Sequence, residues 1–278
     1  MKPIILSLIC FFLSIAAIAQ DVDKAMEYFN TGRYAEAALE FERALPALKA
    51  EYGENDTAYY AYCTTLTTIA FDRCQQFIPA EKYYLMARDV YIRAGGTQDA
   101  FYGIILNNLA VLYNTMGQYE SALPLYLEAL QNTEKALGKE HSNYGVSLNH
   151  LAQLYRTMGQ YDKALPLYLE ALQNTEKALG KEHSSYGNYL NNLAVLYHGM
   201  GQYDKALPLF LEALENTEKT LGKDHSEYGV RLNNLAVLYR TMGQYESTLP
   251  LLLEALQNTE KALGKEHSEY GVRLNNLA

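Results

Sequence analysis

The sequence predicts an all-α protein, a right-handed superhelical solenoid of stacked helical hairpins. Three observations support this prediction. A Tyr-Gly pair returns every 42 residues, beginning at Tyr102, Tyr144, Tyr186, Tyr228 and Tyr270. Within each unit, apolar residues recur at the spacing of amphipathic helices. Glycine follows both periodic segments, as it commonly does at helix ends. A fixed period of this length is typical of arrays whose units bury their apolar faces against their neighbours.

The first element is predicted to be a secretory signal peptide over residues 1–19. Lys2 gives a positive start, residues 4–19 are apolar, and Ala17-Ile18-Ala19 supplies the small residues of a cleavage site. The apolar run has sixteen residues, whereas a spanning helix needs about 20. We therefore expect cleavage before Gln20, export to a periplasm or the medium, and no stable membrane insertion afterwards.

Residues 20–101 are predicted to form two divergent repeats that cap the N-terminal end. Gly32 and Tyr34 match Gly117 and Tyr119 of the regular units, where two helices of one hairpin meet. The divergence from the regular pattern is consistent with a terminal position, because terminal repeats of solenoids are usually atypical.

Two cysteines, Cys63 and Cys74, remain after the predicted cleavage, and both fall on one predicted helix. Eleven residues separate them, which on an unbroken helix corresponds to about 16 Å. A disulfide requires Cα atoms within about 7 Å, so we expect no intrachain disulfide.

Residues 102–278 are predicted to contain four full repeats and a truncated fifth. We number the full repeats 1 to 4: 102–143, 144–185, 186–227 and 228–269. In repeat 1 the first helix is predicted to end at Gly117 and the longer second helix at Gly138. Proline recurs early in every second helix, near the first turn, where its missing N–H is best tolerated: Pro124, Pro166, Pro208 and Pro250.

The order of apolar, glycine and alanine positions in one unit resembles the tetratricopeptide repeat, with these matching residues: Leu106, Leu109, Ala110, Tyr113, Gly117, Tyr119, Ala122, Tyr126 and Ala129. The string at 106–113, closed by Leu137-Gly138 and His141, resembles the repeats of kinesin light chains and their bacterial relatives. The resemblance implies a non-enzymatic scaffold that holds a protein or peptide in a concave groove lined by first helices.

In that family an asparagine near the middle of the first helix commonly bonds the peptide backbone. The matching residues are Asn108, Asn192 and Asn234, and His150 replaces the asparagine in repeat 2. An alternative is a regulatory arm, because bacterial proteins with such repeats and a signal peptide often carry a caspase-like CHAT-type protease domain downstream. A third hypothesis is a structural, self-assembling array.

Comparison of the four repeats separates constant from variable positions. Twenty-eight of 42 positions are identical, and six of the fourteen varying ones fall on the first helix. We interpret these as residues that a groove displays, the alternative being neutral drift. One such row is Ile105, Ser147, Tyr189 and Arg231. The groove residues that we predict are Asn108, Asn114, His150, Gln153, Arg156, Asn192, His198, Asn234 and Arg240.

Charge narrows the class of partner. The chain has 23 Lys and Arg against 32 Asp and Glu, a formal charge of −9, which argues against nucleic acid because phosphates are bound by clustered cations. Within the predicted groove, however, Arg156, His198 and Arg240 form a basic row. This row predicts a protein or peptide ligand with acidic groups.

Other residues receive structural interpretations. The loop histidines lie one per repeat, too far apart to share a metal ion, so we expect a structural loop contact from His141, His183, His225 and His267. The constant asparagines either face the groove or bond between repeats: Asn107, Asn149, Asn191, Asn233 and Asn275. The sequence has neither a full set of catalytic partners nor a phosphate-binding glycine loop. We therefore predict no enzyme activity and no cofactor.

The sequence stops at Ala278, inside a first helix, so we expect a fragment of a longer protein. Leu256 and Leu263 of the preceding second helix are then predicted to lack the hairpin that would cover them. We expect this end to fray or to self-associate, because terminal repeats normally present a polar outer face.

Overall fold

A computed structural model describes residues 21–53, 56–74 and 76–277. Within these ranges all regular secondary structure is helical, which confirms the predicted all-α class of stacked helical hairpins. The predicted signal peptide and its cleavage site lie outside the described residues. No helix of the described residues is long and apolar enough to cross a membrane.

The described helices are α1 (21–30), α2 (Tyr34–Tyr52), α3 (Thr57–Arg73), α4 (Phe77–Arg93), α5 (Ala100–Thr115), α6 (Tyr119–Leu137), α7 (Ser142–Thr157), α8 (Tyr161–Leu179), α9 (Ser184–Gly199), α10 (Tyr203–Leu221), α11 (Ser226–Thr241), α12 (Tyr245–Leu263) and α13 (Ser268–Leu277). From α5 onward, odd-numbered helices are the first and even-numbered helices the second helices of the repeats. Glycines with positive φ follow both, as at Gly159 (φ 72°) and Gly180 (φ 83°), a conformation that costs glycine little.

The described residues form two compact units, called unit 1 (up to residue 136) and unit 2 (from residue 137). In unit 1 the core contains buried aromatic and aliphatic residues of α1 to α5, among them Phe41, Tyr60 and Tyr84. In unit 2 each second helix packs between two first helices. Tyr168 of α8, for example, shares a cluster with Ala152 and Leu193 of the flanking helices. The division of 20–101 into two capping repeats stays a prediction.

Each regular first helix of unit 2 begins with a histidine that caps it. His Nδ1 accepts the backbone N–H two residues later, over 3.1 Å at His141 and His183 and 3.2 Å at His225 and His267. Asp99 caps α5 in the same way, with Oδ1 2.8 Å from the N–H of Phe101. Such caps satisfy backbone donors that have no partner within the helix. The loop histidines therefore have the structural role that the sequence predicted.

The Tyr-Gly pair fixes how closely the helices of a repeat approach. Tyr186 donates its hydroxyl hydrogen to Glu212 over 3.3 Å. The neighbouring Gly187 faces Asn216 so closely that a Cβ there would overlap the amide oxygen. Nδ2 of Asn216 in turn donates to the carbonyl of Lys181 in the loop that leads into α9. Glycine is constant here because helix, asparagine and loop meet at this point.

Three local expectations require correction or detail. Pro166 is the sixth residue of α8 and so lies just beyond the first turn, near which the sequence predicts it. The proline has no N–H to donate to the carbonyl four residues earlier. Because Pro166 is exposed, water can reach that carbonyl. The two cysteines, which the sequence places on one helix, do not both lie within it. Cys63 is buried inside α3, whereas Cys74 follows the last residue of that helix.

The predicted exposure at the end of the sequence concerns the wrong residues. Leu263 is 39% exposed, but its equivalents Leu179 and Leu221 are 39% and 38% exposed inside the array. The apolar surface that differs from the other repeats lies on α13, where Leu274 is 44% exposed and its equivalent Leu232 only 1%. The reason is that the outer face of a second helix is solvent-exposed in every repeat.

Candidate functional site

The predicted groove residues of unit 2 lie on one side of the first helices. Residues three apart, such as His150 and Gln153, are about 60° apart around an α-helix, and residues six apart, such as Asn234 and Arg240, are about 120° apart, so the set occupies about a third of the circumference. Arg240 is exposed, and the others are partly exposed. We call this set the variable face of unit 2: His150, Gln153 and Arg156 on α7, Asn192 and His198 on α9, and Asn234 and Arg240 on α11. In unit 1, Asn108 and Asn114 are partly buried on α5.

Pairs of asparagines connect successive first helices of unit 2. Nδ2 of Asn192 donates to Oδ1 of Asn149 over 2.9 Å, and Nδ2 of Asn234 donates to Oδ1 of Asn191 over 2.9 Å. Asn276 makes the same bond to Asn233 over 2.8 Å. The constant asparagines Asn149, Asn191 and Asn233 are buried, so they bond between repeats, which decides between the two interpretations that the sequence left open.

This asparagine ladder changes the expected role of the variable-face amides. Asn192 and Asn234 each commit one N–H to a neighbouring repeat. Because a side-chain amide has two N–H donors and a carbonyl acceptor, each retains further capacity for a ligand. Sequence reasoning could not identify the ladder partners, because the two adjacent asparagines differ only in the direction that they face.

The two arginines of the variable face have different surroundings. Arg156 is partly buried near Tyr168, whose hydroxyl lies in the core. Burial raises the pKa of Tyr168, and the nearby guanidinium of Arg156 opposes that rise. In repeat 4 the residue equivalent to Tyr168 is Leu252, which is buried and has no hydroxyl. Arg240 is exposed and is therefore the more available cation.

His198 occupies the same helix position as these arginines, but it makes a different contact. Its Nε2 lies 3.1 Å from Oγ1 of Thr241. Since that hydroxyl donates its own hydrogen to the carbonyl of Val237 over 2.8 Å, Nε2 is assigned as the donor. The imidazole also lies 5.6 Å from the ring of Tyr203, and burial lowers the pKa of His198. The predicted basic row is thus neutral at its centre near pH 7.

His150 replaces the asparagine of the other repeats. Burial lowers the pKa of His150 to about 4, so its imidazole is neutral under ordinary conditions. It contributes no positive charge to the variable face.

The row of Ile105, Ser147, Tyr189 and Arg231 is buried, contrary to the prediction that a groove displays it. Arg231 is 4% exposed. It donates from Nη2 to Oδ1 of Asn188 on the preceding first helix and pairs with Glu227 over 2.8 Å. Burial lowers the pKa of Arg231, and the Glu227 carboxylate opposes that change. Each repeat buries a different side chain at this position, and Ser147, for example, donates to the carbonyl of Asn143 in its own helix over 3.2 Å.

Among the described residues, no group of three or more His, Cys, Asp or Glu side chains is arranged to hold a metal ion. The variable face presents amides held by the ladder, one exposed arginine, one partly buried arginine and two neutral histidines. Such a surface can form hydrogen bonds with a polypeptide and pair with an acidic side chain.

Comparison with known proteins places this geometry in a family. The sequence model of the tetratricopeptide repeat matches residues 63–135, 101–177, 144–219 and 185–261. No curated protein sequence matches the chain.

Solved structures share the fold at low sequence identity. BtubC (BKLC) from P. vanneervenii has a TM-score of 0.66 and 20% identity over 90% of this chain and 94% of that chain. A kinesin-light-chain-type protein of Podosopora anserina with nearly identical TPR-like repeats has a TM-score of 0.60 and 22% identity over 73% and 96%. A tetratricopeptide repeat protein from Parabacteroides merdae has a TM-score of 0.62 and 17% identity over 94% and 98%. With the family model covering most of the sequence, the chain belongs to the tetratricopeptide repeat family.

Proposed function

We propose that this chain is a non-enzymatic scaffold that binds an extended, acidic protein segment along the variable face of its first helices. One observation carries the proposal. The exposed positions that differ between repeats on the first helices fall on one side of those helices, whereas the constant positions build caps and contacts between repeats. A scaffold that keeps its packing and varies one displayed face is suited to recognition.

Charge and hydrogen-bonding capacity support the ligand class. Arg240 is an exposed cation, and charge-assisted bonds from arginine to carboxylates are among the stronger polar contacts. Asn192 and Asn234 are held by the ladder and retain N–H and C=O groups that match a peptide backbone. An exposed cation on the same side of the first helices as these amides favours an extended acidic segment.

The test uses two labelled peptides, one alternating glutamate with leucine and one alternating lysine with leucine, in fluorescence anisotropy. We expect the glutamate peptide to bind more tightly, with affinity that falls as salt rises. Arg240→Ala should weaken binding by about tenfold or more, since a charged hydrogen bond contributes about 1.5–3 kcal/mol. Arg156→Ala should have a smaller effect, and the double variant at least the effect of Arg240→Ala.

Lys177→Ala is the matched control, because Lys177 is an exposed cation on second helix α8 and its loss changes net charge equally. If Lys177→Ala and Arg240→Ala weaken binding equally, attraction is only general and the proposed face is wrong. If the lysine peptide binds better, the ligand class is wrong.

We also propose that the mature protein acts outside the cytoplasm, because residues 1–19 have the composition of a signal peptide. N-terminal sequencing of protein purified from its native host should begin at Gln20. Intact Met1 in the soluble cytosolic fraction would contradict this proposal.

A further inference from the structure

Repeat 3 lacks a side chain that the other repeats place at the end of the first helix. In those repeats a threonine hydroxyl donates to the carbonyl four residues earlier: Thr115 to Val111 over 2.9 Å, Thr157 to Gln153 over 2.9 Å, and Thr241 to Val237 over 2.8 Å. Repeat 3 has Gly199 at this position. The carbonyl of Val195 therefore receives no hydroxyl from its own helix.

The position of the missing side chain has room for a Cβ atom. A Cβ placed on Gly199 would lie 3.4 Å from the hydroxyl oxygen of Tyr161, which is ordinary contact, and Gly199 itself is exposed. His198 precedes Gly199 in the chain, and its ring contacts Thr241 and Tyr203. We call this the Gly199 notch, formed by Tyr161, Val195 and Gly199.

The polar atoms of the notch select a hydroxyl group. The Val195 carbonyl only accepts hydrogen bonds, whereas the Tyr161 hydroxyl can donate or accept. A carboxylate would place acceptor against acceptor at Val195, and a methyl group would leave that carbonyl without the extra bond. A hydroxyl can donate to the carbonyl and accept from the tyrosine.

We propose that the Gly199 notch receives a serine or threonine side chain of the bound segment, whose hydroxyl donates to Val195 O and accepts from Tyr161. The ligand thereby completes the contact that repeats 1, 2 and 4 make internally. The proposal rests on the proposed function, because it assigns one side chain to the segment on the variable face.

The first experiment tests the notch without a peptide. Isopropanol, which has the size and hydroxyl of a threonine side chain, is titrated into the isotopically labelled protein while backbone amide shifts are recorded by NMR. We expect shifts that saturate at residues 195–200, and none there in Gly199→Thr. This variant restores the residue of the other repeats, so its fold is expected to persist. Equal shifts in both proteins, or none at 195–200, would overturn the notch.

The second experiment compares two acidic peptides that differ only at one central residue, threonine or valine. These side chains have nearly the same shape, so the comparison isolates the hydroxyl. We expect the natural protein to bind the threonine peptide about three- to tenfold more tightly, as one hydrogen bond allows, and Gly199→Thr to bind both equally.

The two experiments separate the two ideas. Where both peptides bind with equal affinity to the natural protein, the notch proposal is wrong and the scaffold function stands. Where neither peptide binds, the proposed function is wrong, and the isopropanol titration alone decides whether the notch selects a hydroxyl.

Discussion

Asn234 donates from Nδ2 to Oδ1 of Asn191 over 2.9 Å and so joins the first helices of repeats 3 and 4. The acceptor is buried and the donor is partly exposed. One amide thus contributes both to the packing between repeats and to the variable face. A substitution at Asn234 will therefore affect stability as well as any ligand.

We predict energetic coupling between these two asparagines. Asn191→Ala and Asn234→Ala should each destabilise the protein, and the double variant should lose less than the sum, with a coupling of about 0.5–1.5 kcal/mol. Urea unfolding of the four proteins measures this coupling. Asn191→Ala combined with Asn276→Ala is the control, because Asn276 donates to Asn233 instead. Additive losses in the Asn191 and Asn234 pair would show that the bond contributes nothing in solution.

The constant glycine of the Tyr-Gly pair should tolerate no side chain inside the array. Gly229→Ala would bring Cβ into overlap with Asn258, whose Cγ lies 3.1 Å from the Cβ position, and we expect a loss of about 1–3 kcal/mol. Gly271 has the same repeat position but nothing within 4 Å. Gly271→Ala should therefore be neutral or slightly stabilising, as alanine favours helix. Thermal unfolding that shows the same change for both variants would contradict this account.

The histidine caps should be replaceable by the aspartate that the chain itself uses at Asp99. His225→Ala removes the acceptor for the Glu227 N–H and should cost about 1 kcal/mol. His225→Asp should retain the stability, because aspartate is a preferred capping residue and its charge suits a helix N-terminus. Chemical denaturation at neutral pH compares the two. A loss of equal size in both would mean that His225 acts through another contact.

His150 should make the protein sensitive to mild acid. Burial lowers its pKa to about 4, below the ordinary histidine value of about 6.5. At pH 5 the unfolded chain therefore binds a proton that the native chain does not, and stability falls as the pH drops from about 6.5 toward 4.

His150→Asn restores the residue of the other repeats and removes this group. Between pH 7 and pH 5, the natural protein should lose about 1–2 kcal/mol more unfolding free energy than His150→Asn. The remaining histidines are common to both proteins, so the difference isolates His150. Parallel losses in the two proteins would show that the native imidazole titrates normally.

The fold was predictable because its determinants are local and repeated. Gly117 and Gly138 mark both helix ends of repeat 1, and the 42-residue period shows which elements must be equivalent. Each such signal lies within a few residues of the structure that it determines. Repetition then supplies the same evidence several times in one chain.

The site was less predictable because it depends on contacts between repeats. Arg231 varies among the repeats and is charged, two features of surface residues, yet it is buried against Asn188. Variation at a position indicates exposure only where no neighbouring side chain compensates the change. The sequence also does not show which of the two adjacent residues Asn191 and Asn192 bonds to the next repeat, because both are asparagine and they differ only in the direction that their side chains face.

The contact of Arg231 with Asn188 distinguishes the interface between repeats 3 and 4. The histidine caps, the asparagine ladder and the Tyr–Glu bonds, in contrast, recur from repeat to repeat. Gain or loss of a whole 42-residue repeat, by recombination between the gene segments that encode the repeats, would regenerate those recurring contacts at the new junction. An arginine at this position is also buried without an asparagine partner. Arg273, the equivalent of Arg231, is buried beside Glu269, although the residue equivalent to Asn188 on the preceding first helix is Val230. Natural alleles are therefore expected to differ in length by multiples of 42 residues. Each added repeat would supply one more first helix whose exposed positions can vary while its packing contacts stay the same.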